Sequence, residues 1–148
     1  MQEICQLQNL MTKIRTYHEL SQFTVFEDRY NYLKLKGKVG NRTFGFDRWV
    51  NQRFYKSTEW KHAKNFVISR DNGCDLGILG YEIYSGLLVH HMNPMSLNDV
   101  KLGNEWIFDP NFLITTSLQT HNAIHYGDIN LLPRGPIERT SGDTTLWR

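Results

Sequence analysis

Four of the six histidines in this 148-residue chain fall in two tight groups, and their spacing constrains the fold more than any other feature. His90 and His91 are adjacent and close the apolar run Gly86-Leu87-Leu88-Val89, while His121 and His125 stand four apart in Thr120-His121-Asn122-Ala123-Ile124-His125-Tyr126-Gly127. On a helix, positions i and i+4 lie one above the other on the same face, so His121 and His125 can aim both imidazoles at one point. Successive residues of a strand point to opposite faces, so His90 and His91 divide, one facing inward and one outward. Any one of these histidines alone is more simply a hydrogen-bonded structural residue. Together, at this spacing, they raise the expectation of a metal site with a separate base beside it.

The surrounding residues supply the elements this requires. Phe112 to Thr116 has the β-favouring succession of a strand. Ser117 is placed to cap a helix carrying His121 and His125, and Gly127 to end it in the left-handed conformation. Upstream, Tyr81-Glu82-Ile83-Tyr84 and Gly86-Leu87-Leu88-Val89-His90 read as two arms of a small hairpin. Ser96-Leu97-Asn98-Asp99 matches a capping box opening a short helix, and Asp109-Pro110 marks a turn. Asp47 to Tyr55 reads as a helix. Ser57 caps the next, whose apolar face is Trp60, Ala63 and Val67, with Trp60 a core anchor, and Asp71-Asn72-Gly73 ends it. Residues 2–20 read as one helix from Ile4, Leu7, Leu10, Met11, Ile14 and Tyr17 at three- and four-residue spacing. Thr24-Val25-Phe26-Glu27 matches a second capping box, opening a helix to about Leu33. Residues 36–46 read as a turn-rich connection, and the chain after Asp128, with Pro133, Gly135, Pro136 and Gly142, as an extended tail.

Charge is unevenly spread. Between Arg29 and Arg70 eleven Lys and Arg face only Asp47 and Glu59, a net +9 in a chain of formal charge +2, which leaves −7 for the remainder. Such a split suggests a surface for a polyanion; the plainer alternative is a solvated basic face. Two cysteines, Cys5 and Cys74, are too few for a disulfide framework or a four-thiolate zinc site. There is no signal-peptide pattern and no apolar stretch near the ~20 residues that span a bilayer. The expectation is a cytoplasmic protein, neither secreted nor membrane-bound.

Strand, loop, strand and helix, with His-His ending the first strand and His-x-x-x-His on the helix, resembles the HNH (ββα-metal) nucleases, especially the His-rich pattern of the colicin-type DNases. Phe54-Tyr55-Lys56-Ser57-Thr58-Glu59-Trp60-Lys61 followed by Arg70-Asp71-Asn72-Gly73-Cys74 is similar to the helix preceding the motif in many of them. Phe26-Glu27-Asp28-Arg29-Tyr30 and Thr43-Phe44-Gly45-Phe46-Asp47-Arg48 resemble small HNH proteins encoded by bacteriophages. The resemblance spans about residues 24–128. It implies that His90, His121 and His125 ligate one divalent metal and that His91 is the general base. Three imidazoles favour Zn²⁺ or Ni²⁺, with Mg²⁺ or Mn²⁺ possible where phosphate oxygens and water complete the shell. A backbone carbonyl or an asparagine on the facing strand would orient His91. The family's asparagine directly precedes the Leu-Ile of the second strand; here Phe112 is there, with Asn111 one residue earlier as the catalytic-site candidate that a local shift or bulge would bring into the role, and Asn93 an outside candidate. Where the family has paired Cys-x-x-Cys knuckles, this chain has Cys74, Gly77, Ser117 and Thr120, so no structural zinc is expected.

The resulting expectation is an α+β protein: a helical N-terminal region (1–46) packed on the core, an HNH domain (47–128) and an extended C-terminal tail (129–148). The resemblance implies endonucleolytic hydrolysis of DNA at the 3′-O–P bond, leaving a 5′-phosphate, with RNA an open alternative substrate. Arg53, Lys56, Lys61, Lys64 and Arg70 are the candidate nucleic-acid contacts, and residues 2–20 a possible homodimer face. The competing reading is a non-catalytic DNA-binding or packaging and assembly accessory with a structural metal in the same site.

Overall fold

The computed structural model describes residues 14–35, 48–132 and 141. The connection expected over 36–46 lies outside them, as do the first part of the helix and dimer face expected over 2–20 and most of the tail. The architecture is α+β. In chain order the elements are α1 (Tyr17–Leu20), α2 (Phe26–Leu33), α3 (Arg48–Lys56), α4 (Thr58–Arg70), β1 (Cys74–Asp75), β2 (Tyr81–Glu82), β3 (Leu87–His91), α5 (Leu97–Leu102), β4 (Leu113–Ser117) and α6 (Leu118–Tyr126), with 3₁₀ turns at Glu105–Phe108, Pro110–Phe112 and Ile129–Leu131. Among the described residues no helix is long and apolar enough to cross a membrane.

The antiparallel pair β3–β4 sits between two apolar layers, in a register that sets His90 opposite Ile114 and His91 opposite Leu113. Strand alternation sends Met92 and Ile114 to one face, where they pack with Ile124 of α6 and with Leu20, Tyr32 and Leu33 of the N-terminal helices. Val89 and Leu113 go to the other face, against Phe54, Trp60, Ala63 and Val67 of α3 and α4 and Ile107. His90 belongs to the first layer by position and His91 to the second.

A two-stranded sheet leaves one edge of each strand open, and unpaired backbone groups there are costly when buried. The free edge of β4 is closed by the segment following α4. Arg70 Nη2 donates to the Leu113 carbonyl (2.7 Å), and the Asp71 carboxylate accepts from Thr115 N–H (2.8 Å). Leu76 N–H then donates to the Thr115 carbonyl (3.0 Å), and Asp75 accepts from Ser117 N–H (3.2 Å). Asn72 (φ 55°) and Gly73 (φ 65°) make the left-handed turn that brings this segment back from the end of α4.

Several local expectations hold. Ser57 caps α4 through Trp60 N–H, Ser96 and Asp99 form a reciprocal capping box on α5, and Ser117 caps α6 through Thr120 N–H. Gly127 ends α6 at φ 63°, where a Cβ would be strained. Others are corrected. The N-terminal helix is not continuous to residue 20: Thr16 is extended (φ −130°, ψ 153°) and caps only the one-turn α1, because Asn93 binds the Arg15 backbone in both directions. The Thr24–Glu27 capping box does not form. Helix α2 starts one residue later, from Val25, which has no side chain able to cap it. The hairpin between 81–84 and 86–90 is also absent. Tyr81–Glu82 pairs instead with Cys74–Asp75, and Leu87–His91 with the more distant Leu113–Ser117, a five-residue match that buries both faces of the pair. The segment expected to begin an extended tail at 129 turns back onto the core, where Leu132 is buried against Tyr30 and Ala123.

Candidate metal centre

Burial, capping and strand register converge on three imidazoles. His90 is held by the central sheet and is 2% exposed. His121 and His125 project from one face of α6, whose first turn is fixed by Ser117. The ring centroids of His121 and His125 are 4.2 Å apart, and each lies nearly perpendicular to the His90 ring at 5.2 and 5.0 Å. One ring nitrogen from each of the three lies within 4.8 Å of the other two, close enough to bind one metal ion.

Hydrogen-bond accounting supports this use. Buried polar atoms nearly always have partners, yet His90 Nε2, His121 Nδ1 and His125 Nδ1 are all buried with none. Three clustered imidazoles, each with a buried nitrogen that lacks a hydrogen-bond partner, are a donor set a divalent cation accepts. The electrostatics agree, since a ligand must present a lone pair and so be unprotonated. Burial holds the His90 pKa well below its usual range, and the neighbouring His121 and His125 push it in the same direction. Burial, with His121 beside it, brings His125 down to about 4. It lowers His121 too, with the Asn122 side chain pulling the other way.

His91 occupies the other face. Its ring stacks on Trp60 (centroids 5.1 Å apart, planes inclined 16°) and approaches Phe54 at 5.9 Å. Its Nε2–H donates to the Ile107 carbonyl at 2.9 Å. A carbonyl can only accept, so the neutral ring carries its proton on Nε2 and leaves the Nδ1 lone pair free. Burial lowers the His91 pKa to about 4, with the Ile107 bond pulling the other way, so the ring is neutral at pH 7.

The orienting group is therefore the Ile107 carbonyl. Asn111 lies in the exposed 3₁₀ turn before β4, its backbone N–H bound by Asp109, and its side chain has no bond to His91. Asn93 is committed to Arg15. A backbone carbonyl has no residue signature, which is why Ile107 could not be picked out by name.

Of the five candidate nucleic-acid contacts, Arg53, Lys56, Lys61 and Lys64 are exposed on α3 and α4. Arg70 is not available in the same way. It donates to the Pro110 and Leu113 carbonyls, pairs with Asp71 at 2.7 Å and lies 3.7 Å over the Tyr17 ring. Arg29 is likewise internal, donating to the carbonyls of Leu20, Phe23 and Leu76. Two charges of the basic segment thus serve the fold, and the surface charge is smaller than the count of residues implies. No protein-family model, no curated protein and no solved structure matches this chain.

Proposed function

We propose that this protein is a metal-dependent endonuclease of the ββα-metal (HNH) type, acting on DNA by cleaving the 3′-O–P bond. The observation that carries the reading is the clustering of three imidazoles, each with a buried and unpartnered nitrogen, at one strand–helix corner. His90, His121 and His125 would hold one divalent cation, with Zn²⁺ or Ni²⁺ favoured by the all-imidazole set. When bound, the ion supplies Lewis-acid stabilisation of the charge that develops on phosphate oxygens.

His91 has the protonation state its assigned role requires. It is uncoordinated by position and neutral at pH 7, with Nε2 held by Ile107 and Nδ1 able to accept a proton from water. The exposed Arg53, Lys56, Lys61 and Lys64 would contact phosphates, which positions a duplex without reading its sequence. RNA would satisfy the same contacts and is the alternative substrate.

One observation favours a second reading, a non-catalytic DNA-binding or assembly accessory with a structural metal. His91 stands on the sheet face away from His90, packed on Trp60 and Phe54 as a core residue would be. Plasmid nicking with Mg²⁺, Mn²⁺, Ni²⁺ and Zn²⁺, beside metal analysis of the same preparations, separates the two. The nuclease reading expects nicking by wild type, loss of it in His91→Ala at unchanged metal content, and loss of metal in His125→Ala. Equal nicking by His91→Ala would remove His91 from the mechanism. Metal retention and DNA binding without cleavage under any ion would establish the accessory.

A further inference from the structure

Asp75 is 1% exposed, and its carboxylate joins the loop after β1 to the junction of β4 and α6. Oδ1 accepts from Gly77 N–H at 2.8 Å, in the loop after β1. Oδ2 accepts from Ser117 N–H at 3.2 Å, at the end of β4, and from the Thr120 hydroxyl in a very short bond. Ser117 Oγ meets Thr120 Oγ1 at 3.1 Å and caps α6 by accepting from Thr120 N–H, also at 3.1 Å. Thr120 is 1% exposed and is followed directly by His121; His125 is one turn further on.

The loop also packs against the helix with no space to spare. A Cβ on Gly77 would overlap the Thr120 Cγ2 methyl and stand 3.1 Å from Asp75 Oδ1. Gly77 is thus fastened to Ser117 and Thr120, some forty residues further along the chain, by one buried carboxylate. Burying a carboxylate is expensive unless its oxygens are satisfied, and both oxygens of Asp75 are. This arrangement fixes the axial position and the rotation of the first turn of α6. The rotation of that turn decides where His121 and His125 point.

We infer that Asp75 is a positioning residue of the three-histidine metal centre, acting through Ser117 and Thr120 to set the first turn of α6. The inference rests on the metal-site reading above. Asp75 touches none of the three imidazoles, so its contribution is the helix pose and not coordination.

The test is Co²⁺ titration of the full chain, reading the visible absorption of the bound ion and its affinity by competition with a chromophoric chelator. Urea unfolding of the metal-free variants is the control. Asp75→Asn should weaken Co²⁺ binding about 10-fold or more, within the range seen when groups supporting a metal's ligands are removed, and should alter the absorption spectrum of the bound form. Thr120→Val, which deletes one hydroxyl at nearly constant volume, should shift both in the same direction, and Thr120→Ser should restore both. A merely structural role would lower the urea midpoint and leave the spectrum of the folded, metal-bound protein unchanged. Should Asp75→Asn not fold, the Thr120 pair decides alone. Wild-type spectrum and affinity in Asp75→Asn, or in Thr120→Val, overturn the inference while leaving the metal centre intact. Failure of wild type itself to bind Co²⁺, Zn²⁺ or Ni²⁺ overturns the metal centre and this inference with it.

Discussion

His91 is joined to Ile107 by a 2.9 Å hydrogen bond from its Nε2–H to the Ile107 carbonyl, so the backbone of a 3₁₀ turn sixteen residues away selects the tautomer of the ring. Stacking on Trp60 fixes the ring plane as well. At pH 7 the ring should therefore be neutral with the proton on Nε2. Imidazole ¹⁵N chemical shifts of selectively labelled protein measure this directly. A ring protonated on Nδ1, or a doubly protonated one, would contradict the arrangement.

The same burial makes stability depend on pH. His91 and His125 are both held to about 4 in the folded protein, against about 6.5 in an unfolded chain. Above pH 6.5 both states are neutral and the full stability is present. As pH falls from 6.5 toward 4 the unfolded chain takes up protons that the folded protein refuses, so stability is lost across that window. For His91 alone the loss is at most about 3 kcal/mol, reached near pH 4. The urea midpoint of metal-free protein should fall between pH 7.5 and 4.5, and His91→Gln should flatten part of that slope. A midpoint constant over this range would show that the two rings are not buried neutral.

Charge on α3 and α4 divides into two kinds. Lys61→Ala and Lys64→Ala remove exposed cations, and on the proposed DNA-binding role each should lower the salt dependence of binding by about one unit of slope with little change in stability. Arg70→Gln removes the donor to the Leu113 carbonyl and the partner of buried Asp71. It should cost about 2–3 kcal/mol of stability and leave the salt slope unchanged. Salt titrations of DNA binding and urea melts on the three variants check the division; a reduced slope in Arg70→Gln would place Arg70 at the interface after all.

What could be read from the sequence is what depends on local chemistry. Ser57, Ser96 and Ser117 cap helices because a hydroxyl or carboxylate meets an N–H two or three residues on, and that pattern needs no knowledge of the rest of the chain. The histidine spacing works the same way: 3.6 residues per turn and strand alternation suffice to separate His90 from His91 and to align His121 with His125. One local pattern, the Thr24–Glu27 capping box, goes unused because α2 starts from Val25; the other misreadings involve distant partners. Leu87–His91 pairs across more than twenty residues with Leu113–Ser117 because that match fills both layers, and no local signal distinguishes it from a near hairpin. Arg70 and Arg29 look like surface cations until the carbonyls they serve are seen. Asp75 carries no motif, since its role exists only once Gly77, Ser117 and Thr120 meet.

Asn93 offers a test of how the N-terminal segment is joined to the end of β3. Its side chain accepts from Arg15 N–H at 2.8 Å and donates to the Arg15 carbonyl at 2.9 Å, while the buried Arg15 guanidinium donates to the Tyr32 carbonyl at 2.7 Å. This pair of hydrogen bonds pins residues 15–16 beside the strand that carries His90. Asn93→Ala leaves the Arg15 N–H and carbonyl without their partner, at a cost of about 1–3 kcal/mol. Asn93→Asp keeps the acceptor but sets a carboxylate oxygen against the Arg15 carbonyl, so it should not restore what alanine loses. Amide hydrogen exchange at Arg15 and Thr16 should quicken in both variants, with exchange in β4 less affected. Unchanged protection at Arg15 would mean that the Tyr32 contacts alone hold the segment in place.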